Sequence, residues 1–140
     1  MDWKLELNVL PVSDIDRAKA FYSERAGFAV DVDVTVGADM RIVQLTPPGS
    51  ACSITLMHND LSGSVQGLHL VVNDIDAARA ELVDRGAEVS EAYHFVDGVQ
   101  TTGPDPEHQD YGSFLSFSDP DGNGWVVQEV RRATTEAPPR

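Results

Sequence analysis

Hydrophobic positions recur along this chain with two different periods, and each change of period marks a new element. Residues 5–12 form a Leu- and Val-rich run of strand character. Ser13 or Asp14 then supplies a cap for a helix whose apolar positions Ile15, Ala18, Phe21 and Tyr22 fall at helical spacing. Gly27 stops that helix. Val30, Val32, Val34 and Val36 alternate with Asp31, Asp33 and Thr35, the period-two pattern of a half-buried strand. A turn at Gly37-Ala38-Asp39 leads into strands over 40–46 and 52–57, separated by the breaker Pro47-Pro48-Gly49-Ser50. The first half thus reads as strand, helix, three strands.

After a polar connector over 59–66 the order restarts. Residues 67–72 predict a strand, and Asn73 or Asp74 caps a helix through Ile75, Ala78, Leu82 and Val83 that Gly86 ends. Further strands are expected over 88–95, 111–118 and 124–130, the last entered through the turn Asp119-Pro120-Asp121-Gly122. Between them, residues 97–110 carry Gly98, Gly103, Pro104 and Pro106 and read as one long polar loop. Residues 133–140 read as a flexible tail. A single domain over residues 1–132 is expected, with one module at 5–58 and a second at 66–130.

The two halves share sequence as well as pattern. At an offset of sixty residues Leu10, Val12, Asp14, Ile15, Asp16, Ala18, Ala20 and Arg25 recur as Leu70, Val72, Asp74, Ile75, Asp76, Ala78, Ala80 and Arg85. Two copies are too few for a solenoid, which needs about three stacked repeats to bury its faces, so paired half-domains are expected.

Composition narrows the partners. A chain of 140 residues with 41% hydrophobic content can build one real core. Its formal charge of −13 repels phosphate backbones and anionic headgroups, so neither nucleic acid nor a membrane surface is expected to bind it. That charge reads as a solvated surface. No apolar run approaches the ~20 residues that span a bilayer, and residues 1–4 lead into a strand without a signal-peptide core, so a cytoplasmic location is expected. The lone Cys52 excludes an intramolecular disulfide and reads as a buried, inert thiol.

The run Leu10-Pro11-Val12-Ser13-Asp14-Ile15-Asp16-Arg17-Ala18-Lys19-Ala20-Phe21-Tyr22, and Asp119-Pro120-Asp121-Gly122-Asn123-Gly124-Trp125 before the last strand, resemble the vicinal oxygen chelate superfamily. That group includes glyoxalase I, extradiol dioxygenases and bleomycin-resistance proteins. The resemblance covers residues 5–130. It implies an α+β fold of two tandem βαβββ modules whose mixed sheets form a half-open, curled surface with the helices outside, a ligand on the concave side, and a homodimer. It does not imply one reaction.

Metal-dependent relatives place one ligand in the first strand and one in the last strand of each module. Carried over position by position, these land on Leu7, Thr55, Gly67 and Val126. Three of these have no donor atom and threonine is a weak neutral one, so no metal is expected at the family position.

Side chains two apart on a strand share a face, which sends Leu7 and Val9, Thr55 and Met57, Gly67 and His69, and Val126 and Gln128 toward the ligand side. Tyr93, Phe95 and Tyr111 are candidate aromatic walls or a lid. Apolar walls with a few orienting polar groups suit an organic ligand. His69 is the best candidate for catalysis or for a ligand hydrogen bond; the alternative is a structural histidine bonded to Gln128 or to nearby backbone. His94, His108 and Asp110 fit no metal spacing. Asp14-Asp16 and Asp74-Asp76 read as helix caps and first-turn acids. Glu129 is expected on the helix side unless a bulge turns it, and Trp125 under a helix.

Two functions follow. One is a metal-free protein of this family that binds a small organic molecule. The other is a family enzyme, a lyase, isomerase or dioxygenase, working through His69 or loop residues, with or without a divalent metal such as Ni, Zn, Fe or Mn. A third, an interaction or regulatory module with no cavity ligand, stays open because no motif for chemistry is present, and the residues alone do not choose among the three.

Overall fold

A computed structural model describes residues 1–58 and 64–131. Most of the expected connector over 59–66 and the whole expected tail over 133–140 lie outside the described residues. The chain divides into two compact units, Met1–Val65 with Asp119–Asn123, and Gln66–Ser118 with Gly124–Arg140.

In the first unit, β1 (Leu7–Val12), β2 (Ala29–Val36), β3 (Met40–Thr46) and β4 (Ser53–His58) form a mixed sheet in the order β1-β4-β3-β2. β1 runs parallel to β4, which requires a crossover, and α1 (Ile15–Ala20) supplies it. Asp14 caps α1 by accepting the Arg17 N–H at 3.0 Å. The helix continues as a π-helical turn, Phe21–Arg25, in which the Ala26 N–H reaches back to the Phe21 carbonyl at 3.0 Å. α1 packs on β4, and Leu10, Val12, Ala18, Tyr22, Val43, Leu45, Ile54 and Leu56 are buried. The turn at Asp119–Asn123 belongs to this unit. There the Tyr22 hydroxyl donates to Asp119 at 2.6 Å, Asn123 donates to Asp119 at 2.8 Å and to the Pro11 carbonyl at 3.0 Å, and all three side chains are buried.

In the second unit, β5 (Leu68–Val72), β6 (Tyr93–Val96), β7 (Val99–Thr102), β8 (Phe114–Ser118) and β9 (Gly124–Glu129) form a sheet in the order β5-β9-β8-β6-β7, with β5 parallel to β9. α2 (Ile75–Asp84) is capped by Asp74, which accepts the Ala77 N–H at 3.1 Å, and it packs on β8 and β9. Leu115, Phe117, Trp125 and Val127 are buried, with the Phe117 and Trp125 rings stacked at 6.0 Å. Neither sheet closes on itself: β1 and β2 edge the first, β5 and β7 the second. No helix among the described residues is long and apolar enough to cross a membrane.

Three local expectations change. The strand expected over 88–95 is β6, four residues long, preceded by one bridge between Val89 and Phe117. The loop expected over 97–110 opens with a tight hairpin in which Asp97 and Gly98 have φ of 49° and 80°, the left-handed geometry of a two-residue turn, and β7 follows at once. The loop proper is therefore shorter, and the second module has one strand more than the first. Tyr111, expected to begin a strand, instead precedes β8 with a φ of 66°.

Candidate functional site

Each sheet has a packed face toward its helix and an open face opposite. Cross-strand partners share a face, so the ladder registers decide which side chains stand on the open side. In the first unit Leu7 pairs with Ser53, Val9 with Thr55 and Pro11 with Met57. Gln44 pairs with Thr55 across to β3. The expected Leu7, Val9, Thr55 and Met57 thus form one contiguous patch, and Leu7, Val9 and Met57 are 38%, 48% and 51% exposed.

β2 shows why that patch is larger than its sequence pattern suggests. Val30 pairs with Leu45, but the next partnered residue, Val32, pairs with Gln44, so Asp31 is the extra residue of a bulge. In an unbroken register Asp31 would oppose Gln44 and Val32 would oppose the buried Val43. The inserted residue flips everything after it. Val32 and Val34 now stand with Gln44 and Ile42 on the open face, and Asp33 stands with Val43 on the helix side. There Lys19 binds Asp33 at 2.6 Å, Arg41 binds it at 3.0 Å, and Arg41 also holds Asp16. The hydrogen bonds from Arg41, then from Lys19, hold the Asp33 carboxyl far below the usual carboxylate range and raise the guanidinium pKa in return. Val30 is separated from the other three valines, contrary to the simple alternation.

In the second unit His69 pairs with Val126, Val71 with Gln128, Ser116 with Val126, Phe114 with Gln128, and Tyr93 with Phe114. His69, Val126, Gln128, Tyr93 and Phe95 are brought onto one open face together with Phe114 and Ser116, which residue-type reasoning did not single out. The signal for these two was alternation: Leu115 and Phe117 face the core, so their neighbours face away. Tyr93 stacks on Phe114 with ring centroids 5.6 Å apart, and Phe95 meets both rings edge-on at 6.0 and 5.5 Å. The Tyr93 hydroxyl lies 2.7 Å from the Ser116 hydroxyl.

His69 keeps its Nδ1 2.8 Å from the Gly67 carbonyl. With that nitrogen donating, neutral His69 leaves the Nε2 lone pair on the open face. The backbone alternative for His69 is therefore the observed contact, and Gln128 donates elsewhere, to the Tyr111 carbonyl at 3.1 Å. Gly67 lies just before β5 with a φ of 83° and presents no side chain to the face. Tyr111 is about half exposed, and its carbonyl accepts the Gln128 amide.

The loop that carries Tyr111 is pinned from below. Glu129 is on the helix side and fully buried; it accepts the Ile75 N–H at 2.8 Å and His108 Nδ1 at 2.9 Å, and it pairs with Arg131 at 3.3 Å. Asp105 accepts the Glu107 and Gln109 N–H groups, which lower its pKa. His94 bonds the Gly103 carbonyl at 2.6 Å, and Asp110 accepts the Arg131 N–H at 2.7 Å. Cys52 is half-buried, not buried, with its sulfur 3.6 Å from the Asn8 amide.

The registers also locate the positions that match the metal ligands of the relatives. Val9 pairs with Thr55 and His69, sixty residues on, pairs with Val126, so Thr55 and Val126 occupy equivalent places. A leucine and a threonine in one unit, a glycine and a valine in the other, do not make the donor set a divalent ion needs. Among the described residues no group of three or more His, Cys, Asp or Glu side chains is placed to hold a metal ion.

The family model described as the Glyoxalase/Bleomycin resistance protein/Dioxygenase superfamily matches residues 5–127. The chain is similar to TnmS3, an antibiotic binding protein from Streptomyces sp. CB03234, at 31% identity and a TM-score of 0.70, covering 92% of this chain and 97% of that one. A glyoxalase/bleomycin resistance protein from the same organism is 32% identical with a TM-score of 0.68, over 90% of this chain and all of its own. The uncharacterised protein YetH of Bacillus subtilis (strain 168) is 25% identical over 121 residues, 84% of this chain and 91% of YetH.

Proposed function

Because the chain belongs to the Glyoxalase/Bleomycin resistance protein/Dioxygenase superfamily, we propose that it is a binding member of that family, one that holds a small organic molecule against an open sheet face without a divalent metal. One observation carries this reading. Both sheets turn apolar side chains away from their helices and leave them exposed: Leu7, Val9, Val34 and Met57 in one unit, Val71 and Phe95 in the other.

Buried apolar area favours binding by about 25 cal/mol per Å² removed from water, so such faces gain from being covered. The scattered polar groups, Gln44 and Thr55 in one unit, His69, Ser116 and Gln128 in the other, supply hydrogen bonds that orient a ligand. The similarity to TnmS3, an antibiotic binding protein, supports a drug-like organic molecule as the ligand class. A homodimer in the cytoplasm goes with this reading, and light scattering tests the first part.

Native mass spectrometry of protein purified without chelator, read beside elemental analysis, tests the proposal. Expected are an organic adduct, or a hit in a thermal-shift panel of drug-like compounds, and well under one equivalent of Ni, Zn, Fe or Mn. Stoichiometric metal that survives dialysis overturns it.

The free Nε2 of His69 favours a second reading, an enzyme using that nitrogen as a proton acceptor. Under it, His69→Ala abolishes turnover of any substrate found; full activity in that variant removes it.

A further inference from the structure

We propose that the open face of the first sheet carries a cation subsite built on Asp31, which takes an ammonium group of the organic ligand. The inference rests on the ligand-binding reading above and adds a charge requirement to it.

The bulge in β2 is the first reason. Asp31 has no partner in the ladder, and its carboxylate lies on the open side, where Thr46 donates to it. Thr46 and its pair Ala29 belong to that same face. A bulge of this kind re-aims a side chain; bulges are over-represented at sheet edges, where β2 lies, and next to active sites.

The second reason is the support behind the carboxylate. Ser53 lies 2.7 Å from the Thr46 hydroxyl and is 7% exposed. Since the Thr46 proton is committed to Asp31, Ser53 must donate to Thr46. Two hydroxyl dipoles therefore point along one chain toward the carboxylate, and the bond from Thr46 fixes its rotamer. The other carboxylate oxygen has no hydrogen-bond partner among the described residues.

Counter-ions form the third reason. The basic groups near this strand are committed on the other side of the sheet, where Lys19 and Arg41 serve Asp33 and Asp16. Among the described residues no Lys, Arg or His side chain pairs with Asp31. An anion among Val32, Val34, Ile42 and Val9 is tolerable while water covers it. Once an organic molecule covers the face, the carboxylate loses hydration, and only a ligand that brings its own positive N–H group compensates. A neutral or anionic ligand of the same shape is selected against.

A matched pair of environment-sensitive fluorophores tests this on the intact protein: dansylcadaverine, with an aromatic body, an alkyl arm and an ammonium, and its N-acetyl form, which lacks the charge. The ammonium probe should bind about tenfold tighter, the worth of one charge-assisted hydrogen bond. Asp31→Asn should equalise the two probes, and Asp31→Glu should restore part of the preference. Asp39→Asn, which removes the same charge from the turn between β2 and β3, should leave the ratio unchanged.

Equal binding of both probes to the unaltered protein overturns the cation subsite and leaves the organic-ligand reading standing. A preference that survives Asp31→Asn overturns it too, because the overall negative charge would then be the cause. If neither probe binds, both readings fall together.

Discussion

Replacing the Glu129 carboxylate by its isosteric amide isolates what holds the loop beneath Tyr111. Glu129 has no exposed surface and serves three donors: the Ile75 N–H in the first turn of α2, His108 Nδ1 and Arg131. Burial pushes its pKa up, but the three donors together outweigh burial and hold it below the usual glutamate value. In Glu129→Gln the volume is unchanged, so no cavity opens. The amide, however, has one acceptor oxygen, and whichever of Ile75 and His108 it does not serve then faces an NH2 group. Losing a charge-assisted bond and leaving a buried donor unmatched costs about 1.5–3 kcal/mol, and the half-exposed Arg131 adds at most about 1 kcal/mol. The expected loss is therefore about 2–4 kcal/mol, read by urea unfolding under circular dichroism. The pH dependence has a definite sign. A carboxyl whose folded pKa lies below its unfolded value of 4.5 stabilises the protein above that pH and loses the contribution as pH falls through the folded value. The gap between the two proteins should thus close as pH falls below 4.5. A loss under about 0.5 kcal/mol, or a gap that widens in acid, refutes the picture of an ionised, triply bonded Glu129.

Three further outcomes are expected. Tyr22→Phe removes the buried hydroxyl that donates to Asp119 at 2.6 Å and should cost about 1–3 kcal/mol in the same unfolding assay. Gly98→Ala places a Cβ at a φ of 80° in the β6–β7 hairpin and should cost about 1 kcal/mol; an open loop at this position would show no change. Phe95→Ala strips the exposed ring from the Tyr93-Phe114 cluster and should weaken an aromatic probe such as dansylcadaverine about two- to tenfold, with little change in the melting temperature.

Most of the fold was legible because its strongest signals are local. Asp14 and Asp74 cap their helices through a side chain reaching three residues on, and that distance is visible in one dimension. The repeat then located the second half. The β6–β7 hairpin was hidden by its surroundings: Gly103, Pro104 and Pro106 made the whole stretch look like loop. Yet Asp97-Gly98 between Val96 and Val99 is by itself a strong hairpin signal. The bulge at Asp31 is the opposite case. Its sequence shows an unbroken alternation of valine and polar residues, and only pairing with β3 reveals that the strand carries one residue more than its partner. Nothing short of the register could have placed Asp31 beside Thr46, or Asp33 between Lys19 and Arg41.

The distribution of repeated residues over the two faces bears on function. Of the identities at the sixty-residue offset, Leu10 and Val12 are buried and Ala18 and Ile75 have no exposed surface, while the Asp and Arg identities stand at helix caps and on the surface. On the open face the equivalent pairs are Leu7 with Gly67, Val9 with His69 and Pro11 with Val71, and none is the same. Packing sets hard limits on volume and shape, so the helix-side positions had little room to diverge. The open face carries no such limit and has gone two ways, to aliphatic side chains around a carboxylate in one unit and to an aromatic cluster with hydroxyls and an imidazole in the other. If those faces served only to be hidden against a second copy, generic apolar residues would suffice for both. The contrast between Asp31 on one face and Tyr93, Phe114 and His69 on the other gives each unit its own ligand chemistry, and the responses to Asp31→Asn and Phe95→Ala are separable: the first should act on charge, the second on ring contact.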